Sequence, residues 1–150
     1  MKATLLLRRE HRNIEQSLAL LGAVWDVSGD DFDALAADLT AHLAAEENVF
    51  YPAADKALAA GLASHRAQHA RVRAAMVEIS GPAHDSATFH RRLSALSSAF
   101  AAHARMEEGA VHPSLESALN DASLEDLGTK VATFRDAVVA ACRSAARAAE

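Results

Sequence analysis

Two eleven-residue segments of the chain share one pattern of histidine, glutamate and proline. They begin at His42 and His103, and both read H-x-x-x-E-E-x-x-x-x-P. Each residue of an α-helix turns about 100°, so a histidine and a glutamate four positions apart lie on one face. Each segment therefore presents an imidazole beside a carboxylate, and two such helices could bind the same ions. One such pair is common on helices, but its repetition predicts a polynuclear metal site inside a helical bundle.

The remaining sequence predicts the helices that would position these pairs. Apolar residues recur at steps of three and four in five segments, at about 4–27, 32–59, 62–79, 87–119 and 124–149. Turn-forming residues separate the segments, at 28–31, 61, 80–86 and 120–123. Pro52 and Pro113 should kink or interrupt the second and fourth helices, because the prolyl ring clashes with the carbonyl four residues earlier.

We therefore expect an all-α fold, an up-down-up-down four-helix bundle with an additional C-terminal helix. Residues 1–150 would form a single domain, with the metal-binding bundle at about 4–119. The last helix, at about 124–149, carries no histidine, so it should cover the bundle rather than join the site.

Seven polar residues stand on the apolar stripes of the four bundle helices: His11, His42, Glu46, His65, His69, His103 and Glu107. One such histidine alone is more often a hydrogen-bonded core residue than a ligand. Seven buried groups without partners would cost several kcal/mol each, far beyond a usual stability of about 5–15 kcal/mol. Bound cations would satisfy them, and seven ligands suffice for two ions with a bridging oxygen and an open position.

The residue types and their spacing limit which metals and which classes of metalloprotein fit this site. Imidazole and carboxylate without thiolate suit iron, manganese, zinc or copper. The single cysteine, Cys142, excludes an internal disulfide and a cysteine-based metal site. The segment from His65 to His69 lacks the glutamate of zincin proteases. No glutamate has a histidine three residues later, which disfavours the ferritin-like carboxylate proteins.

Charge and hydropathy bear on partners and location. The net charge is -5 and the basic residues are scattered, so no nucleic-acid partner is expected. The first apolar run is only three leucines, too short for a secretory signal or a membrane span. We expect a cytoplasmic protein without membrane contact, and the sequence does not identify a protein partner.

Polar residues off the stripes receive structural interpretations. Glu47 and Glu108 point about 100° away from their neighbours, which favours surface or inter-helix charges over partners of the ligands. Tyr51 is expected in the core or at the rim of the site, and Cys142 as a small packing residue. The remaining histidines are expected to be solvated, namely His84, His90 and His112.

The order His, His-x-x-x-Glu, His-x-x-x-His, His-x-x-x-Glu over about residues 5–113 resembles the hemerythrin-like (HHE cation-binding) family, in its bacterial single-domain form. The resemblance implies a non-haem di-iron centre, two iron ions with an oxo or hydroxo bridge. By position, one iron would bind His65, His69 and His103, the other His11 and His42, with Glu46 and Glu107 bridging. Animal oxygen carriers of this family have an aspartate five residues after the last histidine. Here Glu107 follows at four, as is common in bacterial members.

The ligand set also favours one kind of chemistry. Two carboxylates among five histidines should hold ferrous iron readily, which favours reversible binding or modest redox turnover. We expect a protein that binds O2 or a related small oxidant, for oxygen binding, storage or sensing. The alternative is a redox enzyme that removes peroxide, as catalases do, or nitric oxide at the same centre. Iron–sulfur cluster repair and a metal-free helical interaction module are further alternatives.

Overall fold

The computed structural model describes residues 1–24, 29–58, 62–80 and 86–148. Within these ranges no strand occurs, and the predicted all-α bundle with an additional C-terminal helix is confirmed. The α-helices of these ranges are α1 (Ala3–Ala23), α2 (Gly29–Ala45), α3 (Tyr51–Ala57), α4 (Ala63–Ile79), α5 (Ser86–Met106), α6 (His112–Ala118) and α7 (Asp121–Ala148). The predictions for Trp25, Ser28, Gly61 and residues 81–85, including His84, lie outside the described residues.

Two five-residue π-turns interrupt the helices that carry the repeated motif. The first π-turn, Glu46–Phe50, joins α2 to α3, and the second π-turn, Glu107–Val111, joins α5 to α6. The backbone N–H of Tyr51 donates to the carbonyl of Glu46, and that of His112 donates to Glu107. These bonds span five residues instead of four. Each π-turn directly precedes the first turn of a helix that contains a proline, where a missing N–H is tolerated.

The π-turns change which residues face the core. The helical period predicted that Val49 and Ala110 would continue the buried stripes. Val49 is instead half-buried and Ala110 is exposed, whereas Phe50 and Val111 are buried. The prediction was wrong beyond the first glutamate of each copy of the repeat, because a bond from residue i to residue i+5 delays the stripe by one residue.

The packing of the helices encloses a polar layer between two apolar layers. Helix α1 packs against α2, α5 and α7, while α4 packs against α5. One apolar layer contains Leu7, Phe50, Leu115 and Val131 among others, and the second contains Ile14, Leu39, Leu96 and Phe100 among others. Along α1 the chain passes from Leu7 in one layer to Ile14 in the other. His11 therefore lies at the level between them.

Helix α7 covers the bundle, as predicted, by packing on α1 and α2. Its residues Leu124, Leu127 and Val131 are buried. Gly128 lies where α7 meets the first residues of the chain, and a Cβ atom there would collide with the backbone carbonyl of Met1. The close approach of these two backbones therefore depends on glycine at this position.

Candidate metal centre

The polar layer brings six of the seven predicted ligands together. They come from α1, α2, α4, α5 and the first residue of each π-turn, and each is at most 1% exposed: His11, His42, Glu46, His69, His103 and Glu107. Their ligand atoms form two sets, in each of which the atoms lie within 4.8 Å of one another. The first set is His11, His42, Glu46 and His103, and the second is Glu46, His69, His103 and Glu107.

The Glu46 carboxylate lies between two pairs of imidazoles. Its Oε1 is 3.2 Å from Nε2 of His42 and 3.6 Å from Nε2 of His11. Its Oε2 is 3.0 Å from Nε2 of His69 and 3.4 Å from Nε2 of His103. Two ligands about 2.1 Å from one ion are about 3.0 Å apart at right angles and about 3.4 Å apart at the tetrahedral angle. These separations fit neighbouring ligands of a shared cation at each oxygen.

Most of the inward-facing atoms have no hydrogen-bond partner among the described residues. This holds for Nε2 of His11, His42 and His103, and for both oxygens of Glu46 and of Glu107. The atoms face one another at short range, but either their separation or their orientation fails hydrogen-bond geometry. Each buried polar atom without a partner costs about 1–3 kcal/mol, so seven of them would remove much of a normal stability. Bound cations would compensate this cost, and the donor set therefore fits a metal centre.

Carboxylates outside this centre fix the orientation of three of its imidazoles. Nδ1 of His42 lies 3.0 Å from Glu10, Nδ1 of His11 lies 2.9 Å from Glu108, and Nδ1 of His69 lies 2.8 Å from Glu47. An ionised carboxylate only accepts, so each Nδ1 carries the hydrogen. When such a ring is neutral, as a metal ligand must be, its Nε2 lone pair points inward, as in most metal-binding histidines.

The prediction for Glu47 and Glu108 was wrong about what these residues contact. Both reach across to other helices, but the groups they meet are imidazoles of the centre. The signal was present in the repeat, since its second glutamate occurs in both copies. A step of 100° away from the first glutamate aims that side chain at the histidine of a neighbouring helix.

Two arginines extend these contacts outward. Glu47 also accepts from Arg73, at 2.8 Å, and Glu10 also accepts from Arg135 of α7. Helix α7 therefore does more than cover the bundle, because its Arg135 holds the carboxylate that orients His42. Neither Glu10 nor Arg135 stands on a predicted stripe, and sequence reasoning missed both.

The centre contains buried carboxylates whose negative charge has to be compensated by nearby positive charge. Burial opposes ionisation of Glu46, but the imidazoles of His42 and His103 hold its pKa well below the ordinary value. Burial likewise lowers the pKa of His11, yet the carboxylates of Glu46 and Glu107 outweigh it and raise that pKa to about 9. Protons on imidazoles can thus compensate the buried carboxylates, and a metal ion would replace those protons on binding.

Comparison with known families places this geometry in context. The family model described as the hemerythrin HHE cation binding domain matches residues 3–115, which include all seven predicted ligands. The chain belongs to the hemerythrin HHE family. Neither the curated proteins nor the solved structures gave a match. In this hemerythrin-like protein Arg135 lies beyond the matched residues, although it supports the centre through Glu10. Among the described residues, no helix has both the length and the apolar character to span a membrane.

Two residues that follow the π-turns enter the centre of this hemerythrin-like protein. Tyr51 is buried, as expected for a core residue, and its hydroxyl donates to Nε2 of His69 at 2.8 Å. Burial and the charges of Glu46 and Glu107 raise the pKa of Tyr51, so the hydroxyl keeps its proton. His112 is fully buried, with Nε2 3.5 Å from Oε2 of Glu107. The prediction of a solvated His112 was wrong, because the π-turn brings it back to the face of Glu107.

The remaining predicted residues lie apart from the two sets. His65 is buried and its Nε2 has no partner among the described residues, but the ring joins neither set. Its role as a ligand stays a prediction. His90 is half-buried against the ring of Phe89 rather than fully solvated. Cys142 is half-buried, in keeping with a packing residue.

Proposed function

We propose that this hemerythrin-like protein holds two iron ions in a non-haem di-iron centre and binds O2 or a related small oxidant there. The observation that carries the proposal is the position of Glu46, each of whose oxygens faces its own pair of imidazoles. In this proposal residues 1–150 form one domain. His11 and His42 would hold one iron, His69 and His103 with His65 would hold the other, and Glu46 and Glu107 would be shared between the two.

Bound ferrous iron would supply electrons and an open position for a small ligand. The protein around it orients the ligands and excludes water. Glu10, Glu47 and Glu108 hold three imidazoles with Nε2 inward. The ring of Phe100 lies 5.8 Å from that of His11 and 5.7 Å from that of His42, closing one side with an apolar wall. A dry wall of this kind limits proton delivery to a bound ligand, which favours reversible binding.

One contact favours the alternative, a redox enzyme acting on peroxide or nitric oxide. Tyr51 places a protonated hydroxyl inside the centre, where it donates to the Nε2 lone pair of His69. A metal ion on that nitrogen would take the lone pair and leave the hydroxyl free to donate to a bound ligand. Reduction of peroxide to water consumes protons, and a buried phenol can donate a hydrogen bond or a proton to an oxygen atom beside it. The same hydroxyl could stabilise a bound O2, so measurement of turnover has to separate the two functions.

The experiment starts from protein loaded with iron under anaerobic conditions and reduced. We expect two iron ions per chain and an absorption that appears with O2 and disappears when O2 is removed. Continuous consumption of peroxide or nitric oxide would instead support the enzyme. The variant Glu46→Gln should lose iron, while the matched control Glu116→Gln, on α6 and paired with Arg8, should retain it. Protein that binds no iron, or equal iron in both variants, would contradict the proposal.

A further inference from the structure

We propose that His112 is an additional ligand of the metal ion next to His11 and Glu107. The inference deepens the proposed function and rests on it, since it requires a transition-metal ion in the polar layer. It adds a nitrogen donor from α6, a helix to which the helical period assigned no ligand.

The environment of His112 is that of a ligand rather than of an ordinary core histidine. The side chain is 0% exposed, and neither ring nitrogen has a hydrogen-bond partner among the described residues. A neutral imidazole always carries one N–H donor and one acceptor, so a merely structural role would leave both unsatisfied. His103 belongs to both ligand sets, and its Nδ1 atom also lacks a hydrogen-bond partner among the described residues. An unpaired Nδ1 is therefore compatible with ligation here.

The distances place His112 in the same relation to Glu107 as the other imidazoles have to Glu46. Oε2 of Glu107 lies 3.5 Å from Nε2 of His112 and 3.7 Å from Nε2 of His11. The rings of His11 and His112 are parallel within 2°, with centroids 6.0 Å apart. Both therefore direct Nε2 at one carboxylate oxygen. His112 lies at the edge of the centre, outside the two compact sets, which suits a ligand of one ion only.

The internal repeat gives an independent argument. His112 stands five residues after Glu107, and Tyr51 stands five residues after Glu46. Each is the residue whose N–H closes a π-turn on that glutamate, so both side chains return to the face of the carboxylate. Tyr51 reaches an imidazole of the second set, and His112 reaches the carboxylate beside His11. The two copies of the motif thus each add one inward polar group.

Cobalt(II) binding to the full-length apoprotein tests the proposal, because cobalt absorption reports coordination as well as stoichiometry. The design compares His112→Gln with His112→Glu. Glutamine can still donate a hydrogen bond to Glu107 but ligates poorly, whereas glutamate ligates but repels Glu107 unless an ion lies between them. A ligand role predicts about 100-fold weaker binding of one cobalt ion in His112→Gln, with an altered spectrum, and binding within about tenfold of wild type in His112→Glu. His90→Ala is the control histidine variant.

The opposite ranking, with His112→Gln at wild-type affinity, would overturn the proposal and make His112 a hydrogen-bonding residue. An equal loss of cobalt affinity in both variants would overturn it as well, and would show that His112 acts through packing. Circular dichroism of the apoproteins checks the fold. Should the glutamine variant lose helicity, His112→Ala with free imidazole replaces it: recovery of the second binding event supports ligation, and no recovery overturns it. If wild type binds no cobalt, the proposed function fails too, whereas two ions in wild type and in His112→Gln contradict only this inference.

Discussion

The contact between Glu10 and His42 allows a quantitative test of how the outer carboxylates support the centre. Glu10 is 7% exposed, accepts from Nδ1 of His42 at 3.0 Å and accepts from Arg135. The change Glu10→Ala leaves the imidazole free to rotate or to carry its hydrogen on Nε2. Removing such a partner typically lowers metal affinity about 10–100-fold, which corresponds to about 1.4–2.7 kcal/mol. We expect this loss at the ion next to His42, with the other ion little affected.

The assay is a competition titration of the apoprotein with cobalt(II) and a coloured chelator, which resolves two binding constants. Glu10→Gln should fall between wild type and Glu10→Ala, because its amide oxygen still accepts but carries no charge. Asp136→Ala is the matched control, since it removes the other carboxylate that pairs with Arg135 and leaves the bond between Glu10 and His42. Wild-type affinity for both ions in Glu10→Ala would refute the argument that this carboxylate fixes the tautomer of His42.

Three further predictions follow from other features. Gly128→Ala should lower the free energy of unfolding by about 1–3 kcal/mol through backbone collision, while Gly22→Ala, where a Cβ meets nothing within 4 Å, should cause no loss in the same thermal scan. Free metal at 100 times its Kd should stabilise each site by about 2.7 kcal/mol, so that chelation lowers Tm by several degrees. Tyr51→Phe should retain both iron ions, yet release bound O2 about tenfold faster in stopped-flow experiments, because the hydrogen bond of about 1.4 kcal/mol that the Tyr51 hydroxyl would donate to bound O2 is lost. Unchanged release would remove Tyr51 from the ligand environment.

The bundle and the inner part of its centre were predictable from the helical period. His11, His42, His69 and His103 interrupt apolar stripes, and the i,i+4 spacing put Glu46 and Glu107 on the faces of their histidines. Those features depend only on residues within one α-helix, where the geometry is regular. The antiparallel arrangement then brings the stripes to one level, which is why six predicted ligands converge.

The remaining parts of the fold and of the centre depend on two effects that the 3.6-residue period of an α-helix does not predict. The π-turns before Pro52 and Pro113 delay the stripe by one residue, so Phe50 and Val111 are buried where Val49 and Ala110 were predicted. Glu10 and Arg135, in turn, act across helices far apart in sequence, and no spacing rule within one helix relates Arg135 to the centre. The prolines in the repeat were the signal for the first effect, since a prolyl residue cannot continue the ordinary bonding pattern.

Anomalous X-ray diffraction at the iron absorption edge, on crystals of iron-loaded protein, tests the central claim most directly. We predict two iron peaks about 3.5 Å apart, one next to Nε2 of His11 and His42 and the other next to Nε2 of His69 and His103, with the Glu46 carboxylate between them. A single peak, no peak, or iron bound away from Glu46 would contradict the account.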